Sequence, residues 1–392
     1  MERKGVLVAF SEIGLRTKWV RKRMLRLLAE NIRKALEWKQ KSYDGISTSW
    51  NRILVYTDDG EVAELLRRVP GVRYAAPCSV VEEDLDVDRL ASRVAVELTS
   101  KIAGKSFKVE TRRRKKDLPY KSPQISSMIG AKILERCRER GIDTEVKMSQ
   151  PDVRVHVEID EGLSLFYTER YEGEGGYPIG AQSPLVCLLS GGTDSAVASW
   201  LVATRGIGIN PLFIDQSPYI GCCYLAKAVD VFLALRECVL YPDLSLAVAK
   251  VGKIMEKIVE GATPRYICIL CKRLMYRIAA LYAGRVGAKG IVTGESIGQV
   301  ASQTVDNLYV ISQATHIPVY RPLAGLSKER IHEVAKRIGV YDIAAVDVGY
   351  CDILPRRPAT RSDLKTIEAE EEKIGLEEDI ERAVEKIEVM GF

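Results

Sequence analysis

Three short stretches of this 392-residue chain hold residue types that do chemistry. The first is Ser190-Gly191-Gly192-Thr193-Asp194-Ser195, which follows an apolar run at 185–189 and opens a helix-forming run at 195–204. Two glycines let backbone N–H groups approach a ligand closely, two serines add hydroxyl donors, and a following helix presents its positive end. That donor set suits a pyrophosphate, and an acid beside it, Asp194, suits Mg²⁺. No Lys follows the glycines, so this is not a Walker A loop. The plain alternative is a Gly-rich strand-to-helix turn; the flanking strand, helix and serines favour a nucleotide. The second stretch is Cys268-Ile269-Leu270-Cys271, a CxxC suited to metal, cluster or redox chemistry, with two of the four thiolates of a structural zinc. The third, residues 293–304, puts polar residues and glycines after a short apolar run at 290–293, the pattern of a site at a strand's carboxyl end.

The length fits two or three domains, and 46% hydrophobic with 28% charged residues is a globular balance. No run approaches the ~18 apolar residues of a membrane span and no signal-peptide pattern opens the chain, so a cytoplasmic protein with no membrane partner is expected. The net charge of +5 is unevenly spread: residues 1–50 carry 12 Lys/Arg against 5 Asp/Glu, residues 101–150 carry 14 against 6, and residues 351–392 carry 7 against 12. A basic front half suggests a polyanion partner; a merely solvated surface is the alternative. Nine cysteines without a secretory signal point to thiols, metal sites or catalysis rather than a disulfide framework. His156, His316 and His332 are too scattered for a triad or metal site.

The elements that must position these residues follow from periodicity. Strands at 5–10, 53–56 and 72–80 alternate with helices at 19–39 and 61–68, a small α+β unit. The helix at 19–39 has an apolar face and a face bearing Arg21, Arg23, Arg26, Arg33 and Lys34. A helix at 86–102, a strand from Lys105, a helix at 126–140 and a hairpin at 153–159 and 163–168 come next. The strand holds Lys105 and Lys108 and ends in Arg112-Arg113-Arg114-Lys115-Lys116, a phosphate-binding face for RNA or else charges that guard a sheet edge. Residues 171–183, with four glycines, read as a linker. Strands at 185–189, 208–215 and 290–293 then alternate with helices at 195–204, 227–237, 244–260, 272–286 and 328–338, which predicts an α/β class with a doubly wound parallel sheet. An acidic tail of one or two amphipathic helices closes the chain, and Cys222-Cys223 are read as structural.

SGGTDS at 190–195 resembles the PP-loop of ATP pyrophosphatases, which cleave ATP between its α and β phosphates and adenylate a substrate. SFKVETRRRKKDLPYKSPQISSMIG (106–130) resembles the core of a THUMP domain, an RNA-binding module of tRNA-modifying enzymes. FSEIGLRTKWVRKRMLRLLAENI (10–32) is similar to the pattern of the ferredoxin-like domain that precedes THUMP, with Ser11 where Gly is usual. TGESIGQVASQT (293–304), with Lys272-Arg273 in CKRLM and Arg321-Pro322-Leu323, resembles the tRNA 4-thiouridine synthase family.

That resemblance implies a ferredoxin-like domain at 1–80, a THUMP domain at 81–168, a linker at 169–183, a PP-loop ATP pyrophosphatase domain at 184–360 and an acidic helical tail at 361–392, with no rhodanese domain. It implies ATP on Leu188, Leu189, Ser190, Gly191, Gly192, Asp194 and Ser195, adenine near Phe213 and Ile214, and further contacts from Lys272, Gly294 and Gln303. Asp194 and Lys328 would serve adenylation, Lys328 by neutralising transition-state charge or else only starting a surface helix. Cys351, in Gly349-Tyr350-Cys351-Asp352, matches the family's active-site cysteine. In members that have a CxxC and lack the rhodanese domain, Cys268, Cys271 and Cys351 would hold an iron–sulfur cluster; a disulfide of Cys268 or Cys271 with Cys351, and three buried thiols, stay open beside it. The implied activity is adenylation of uridine 8 of tRNA at O4 and its replacement by sulfur, with ATP and Mg²⁺, tRNA, and sulfide or a cysteine desulfurase persulfide as donor. A homodimer is expected. The alternatives are thiolation of another tRNA position, of a sulfur carrier for thiamine synthesis, or a non-catalytic tRNA-binding module.

Overall fold

Alternation of polar and apolar residues builds one sheet of this protein, and continuous apolar runs build the other. The computed structural model describes residues 2–49, 52–82, 86–114, 119–160, 162–221, 223–349 and 351–392. The chain divides into two units, residues 1–68 with 72–175 and residues 176–392 with 69–71.

The first unit opens with β1 (Glu2–Ala9), a 3-10 turn (Glu12–Leu15), α1 (Lys18–Trp38), β2 (Gly45–Ser49), β3 (Arg52–Tyr56), α2 (Glu61–Leu66) and β4 (Tyr74–Val81). The order gains one strand over the expected pattern. β2 escaped because Gly-Ile-Ser-Thr-Ser is nearly all polar, and as an edge strand it pairs only with β3. α1 buries Met24, Leu28, Ile32, Ala35 and Leu36 at helical spacing. Arg21 departs from the expected basic face: it is buried, with its guanidinium over the Phe10 ring and donating to the Gly14 carbonyl at 3.4 Å.

The unit continues with α3 (Val87–Ile102), β5 (Ser106–Arg113), α4 (Ser122–Glu139), β6 (Glu145–Val146), β7 (Val153–Asp160), β8 (Leu163–Tyr167) and β9 (Tyr171–Glu172). The hairpin read from the sequence is β7–β8, paired antiparallel from His156↔Tyr167 to Asp160↔Leu163. All nine strands join one sheet, β2-β3-β1-β4-β8-β7-β5-β6 with β9 on β4, and β4–β8 pairing carries it across residue 80. α3 and α4 pack Leu90, Val94, Ile125, Ile129 and Ile133 onto Phe107, Val155, Val157 and Phe166.

The second unit comprises β10 (Tyr177–Leu188), α5 (Thr193–Ala203), β11 (Arg205–Asp215), α6 (Cys223–Cys238), β12 (Leu246–Lys250), α7 (Gly252–Gly261), α8 (Ile267–Arg285), β13 (Ile291–Val292), α9 (Val305–Ser312), β14 (Val319–Tyr320), α10 (Lys328–Arg337), α11 (Tyr341–Ala344), α12 (Leu364–Ile374), α13 (Glu377–Glu385) and β15 (Glu388–Met390). The sheet order is β14-β13-β10-β11-β12-β15, parallel except for the β15 edge. Alternate strand residues serve opposite layers. Val186, Leu212, Ile214 and Ala249 face α7, α8, α12 and α13, while Cys187, Phe213 and Val248 face α5, α6 and α10. Burial on both faces explains the unbroken apolar runs.

Two expectations are corrected here. The stretch read as a linker is largely strand, because its glycines serve close approach and bulges: a Cβ on Gly176 would lie 2.0 Å from the Thr204 carbonyl, and the β10–β11 register shifts on either side of Gln182. The run 244–260, read as one helix, is β12 followed by α7; a five-residue apolar run does not reveal its period. The tail is bound into this unit, with Ile367, Leu376, Ile380 and Val384 in its core and β15 on its sheet.

Candidate functional site

From β10 the chain moves outward through α5 and α6 to β11 and β12, then returns to place β13 on the other side of β10. The loops after β10 and β13 therefore diverge at a topological switch point, the usual crevice for ligands in such sheets. Both candidate loops lie there.

The first loop turns at Gly191, whose φ of +73° is left-handed and whose added Cβ would lie 3.2 Å from the Ala228 amide nitrogen. Ser195 organises the turn: its Oγ accepts from the Ser190 N–H at 3.1 Å, lies 3.2 Å from the Ser190 hydroxyl and donates to the Gly192 carbonyl at 3.1 Å. Leu188 ends β10, and Leu189 hangs from the Leu212 carbonyl through its N–H at 2.9 Å. Asp194, in the first turn of α5, receives Lys328 Nζ at 2.6 Å and Gln299 Nε2 at 2.9 Å. The Lys328 ammonium thus points at the loop and is not merely an outward surface charge.

The second loop is pressed onto the first. A Cβ on Gly294 would stand 2.6 Å from the Ser195 nitrogen and 2.7 Å from the Asp194 carbonyl carbon, so only glycine fits. Gln303 closes this loop on itself, its side-chain oxygen accepting from the Ser296 N–H at 3.3 Å and its carbonyl from Gly298 at 2.9 Å. Lys272, on α8, donates to Glu295 Oε1 at 2.8 Å. Arg321 Nε donates to Glu295 Oε2 at 2.9 Å, and Thr293 and Tyr276 add their hydroxyls. Burial pushes the Glu295 carboxyl up, but Lys272, Tyr276 and Arg321 together outweigh it and hold it below the usual glutamate range. Phe213 and Ile214 lie at the end of β11 with side chains buried in opposite layers, so any contact with a base there is a main-chain contact. Glu295, Gln299 and Arg321 were not singled out as site residues. Their signal was an acid and an amide in a strand-end loop, and an arginine after β14.

The three cysteines form a second corner. Cys268 and Cys271 occupy the first turns of α8, and the Cys271 thiol donates to Gln216 at 3.4 Å. Cys351 is held by its neighbour, Asp352 N–H bonding the Tyr219 carbonyl at 3.0 Å. Burial pushes all three thiols up, Cys271 to about 12, and Cys351 adds to the rise at both Cys268 and Cys271 while Lys272 opposes it. Among the described residues no three His, Cys, Asp or Glu side chains are gathered so as to hold a metal ion. The three thiols share one corner, close enough that Cys268 and Cys271 each feel Cys351.

The basic stretch is split by the pleat of β5. Lys108 pairs with Glu110 at 3.1 Å, and Arg113 turns away to the Tyr120 carbonyl at 2.7 Å. Lys105 is exposed; Lys115 and Lys116 lie outside the described residues, as does Cys222. Arg112 and Arg114 line a cavity of about 310 Å³ with Arg21, Arg52, Arg73 and Glu158. Arg52 is 2% exposed and pairs with Glu158 at 3.4 Å and Asp160 at 3.1 Å. Sequence composition did not point to Arg52 and Arg73, which strand pairing rather than chain proximity brings here, and placed Arg21 on an outward face of α1.

The family model described as thiamine biosynthesis protein (ThiI) matches residues 180–376, the THUMP domain model 85–169 and the ThiI ferredoxin-like model 5–76. A Methanosarcina acetivorans protein described as "Probable tRNA sulfurtransferase" is 32% identical over 98% of this chain and 93% of its own. A Thermococcus kodakarensis protein of the same description is 35% identical over 91% and 93%. A solved 4-thiouridine synthetase–RNA complex with bound ATP superposes with a TM-score of 0.87 at 31% identity over 99% of both chains. A solved protein of Pyrococcus horikoshii gives 0.66 at 25% identity over 86% and 99%. No described helix is long and apolar enough to cross a membrane. The chain belongs to the ThiI family.

Proposed function

We propose that this protein is an ATP-dependent tRNA sulfurtransferase that makes 4-thiouridine, acting at uridine 8. The observation that carries this reading is the corner where the PP-loop, Asp194, Lys272 and Lys328 converge, in a chain similar along its whole length to a 4-thiouridine synthetase bound to RNA and ATP. ATP phosphates lie along the amides of Gly191 and Gly192 and the hydroxyls of Ser190 and Ser195. Asp194 supplies one carboxylate beside substrate phosphates, the donor set Mg²⁺ uses, and the ion would there neutralise phosphate charge. Uridine O4 attacks the α phosphorus, and pyrophosphate leaves with the electron pair of the broken P–O bond. Lys272 and Lys328 offset the charge that develops.

Sulfur then forms a bond to ring carbon four, and AMP leaves with the electrons of the C–O bond. In our reading Cys351 carries the outer sulfur of a persulfide received from a cysteine desulfurase, and that sulfur attacks. The Cys268 or Cys271 thiolate next attacks Cys351 Sγ, which frees the thiouridine and leaves a disulfide that an external thiol reduces. The arginine-lined cavity of the first unit, with Arg112 and Arg114, is the phosphate-binding face for tRNA. We assign residues 1–80, 81–168 and 184–360 to ferredoxin-like, THUMP and adenylating roles.

The test is ATP labelled at the α phosphorus, with tRNA and no sulfur donor. Label appears on tRNA, and adding donor converts it to 4-thiouridine located at position 8 by mass analysis. Sulfur on a carrier protein or at another position, or no labelled tRNA, overturns the reading.

A further inference from the structure

Glu295 is 6% exposed at the mouth of a site that must bind a polyanion, where a carboxylate is out of place electrostatically. Its oxygens are committed. Oε2 accepts from Arg321 Nε at 2.9 Å, from Thr293 Oγ1 at 3.1 Å and from the Tyr276 hydroxyl, and Oε1 accepts from Lys272 Nζ at 2.8 Å. A group so occupied is poorly placed to act as a base or to take a metal. Its fixed partners are themselves anchored: Tyr276 is buried, and Arg321 also donates to the Tyr276 hydroxyl at 3.1 Å and to Ser312 Oγ at 2.7 Å. The neighbouring Gly294 packs against Asp194 and Ser195 without room for a Cβ, which registers Glu295 to the first turn of α5.

We propose that Glu295, pinned by Arg321 and Tyr276, is a positioning residue that holds the Lys272 ammonium beside the PP-loop for attack at the α phosphorus. The inference rests on the adenylation reading above. Lysine carries its charge on a flexible four-carbon stem, and a charge fixed before the reaction stabilises a transition state better than one that must be gathered during it. Loss of Glu295 therefore acts on the chemical step more than on ATP binding, and it acts through Lys272.

The experiment compares wild type, Glu295→Gln, Lys272→Ala and the double variant in tRNA-dependent pyrophosphate release. Glu295→Gln lowers kcat at least about tenfold with KM for ATP changed less than about threefold, and adds nothing in the Lys272→Ala background. Glu295→Asp, which keeps the charge, restores part of the rate. Thermal unfolding of each variant reports the fold, and Arg321→Lys, which keeps a cation on the carboxylate, replaces Glu295→Gln if that variant unfolds; it too lowers kcat only where Lys272 is present. Equal losses with and without Lys272, or a Glu295→Gln enzyme at wild-type kcat beside an impaired Lys272→Ala, overturn the positioning role while leaving adenylation standing. A wild-type enzyme that releases no pyrophosphate with tRNA overturns adenylation itself.

Discussion

The nucleotide corner and the thiol corner of the second unit are built on opposite electrostatic plans. Around the PP-loop the charges are paired before a ligand binds: Lys328 with Asp194 at 2.6 Å, and Lys272 and Arg321 with Glu295 at 2.8 and 2.9 Å. Around Cys268, Cys271 and Cys351 burial raises the thiols and keeps them protonated. The first corner is organised before its ligand arrives. The second must change protonation before it can react. The difference suits a reaction in two halves, in which a thiolate exposed too early would be alkylated or oxidised.

Separating the halves gives the largest expected effect. Asp194→Ala lowers pyrophosphate release by about 100-fold or more, the scale of losing a preorganised electrostatic group. Cys351→Ser leaves that release within about twofold, while abolishing thiouridine formation. Both are read from one reaction, by pyrophosphate and by nucleoside analysis. A Cys351→Ser enzyme that loses both halves together would break the comparison.

The next effect sharpens the thiol side. Each thiol titrates above its ordinary value, so the reactive thiolate is scarce at neutral pH and grows as protons are removed. Alkylation of Cys268, Cys271 and Cys351, followed by peptide mass analysis, rises about tenfold per pH unit between pH 7 and 9. A plateau below pH 8 would mean that the thiols are already ionised and that the corner is as prepared as its neighbour.

The smallest effect lies in the first unit. Arg112→Ala weakens tRNA binding a few-fold and reduces the slope of log affinity against log salt by about one, as for a lost phosphate contact. It leaves tRNA-independent ATP binding unchanged. An unchanged salt slope would remove Arg112 from the RNA face.

How much of this was legible depends on whether a feature is local in the chain. SGGTDS was readable because one strand end, one turn and one helix start supply all its donors in sequence. The α1 apolar stripe and the β7–β8 hairpin were readable for the same reason. β2 was not, because an edge strand of Ser and Thr carries no period that distinguishes it from a loop. Lys328 and Cys351 stood out only by resemblance, since neither sits in a local pattern that demands chemistry. The basic run at 112–116 looked like one face in the sequence, yet the strand pleat sends Arg113 away from Arg112 and Arg114.

What the sequence by itself determined is the set of short-range devices: glycines where the backbone must turn or touch, apolar runs for a sheet buried on both faces, and the order of strands and helices that makes the sheet doubly wound. Only the tertiary structure decided which distant charges meet. Lys328 and Asp194 are 134 residues apart in the chain, and Arg52 and Asp160 are 108 apart. Their pairing follows from strand order and register, because an ion pair needs its atoms within a few ångströms, and only the folded sheets bring such distant residues that close.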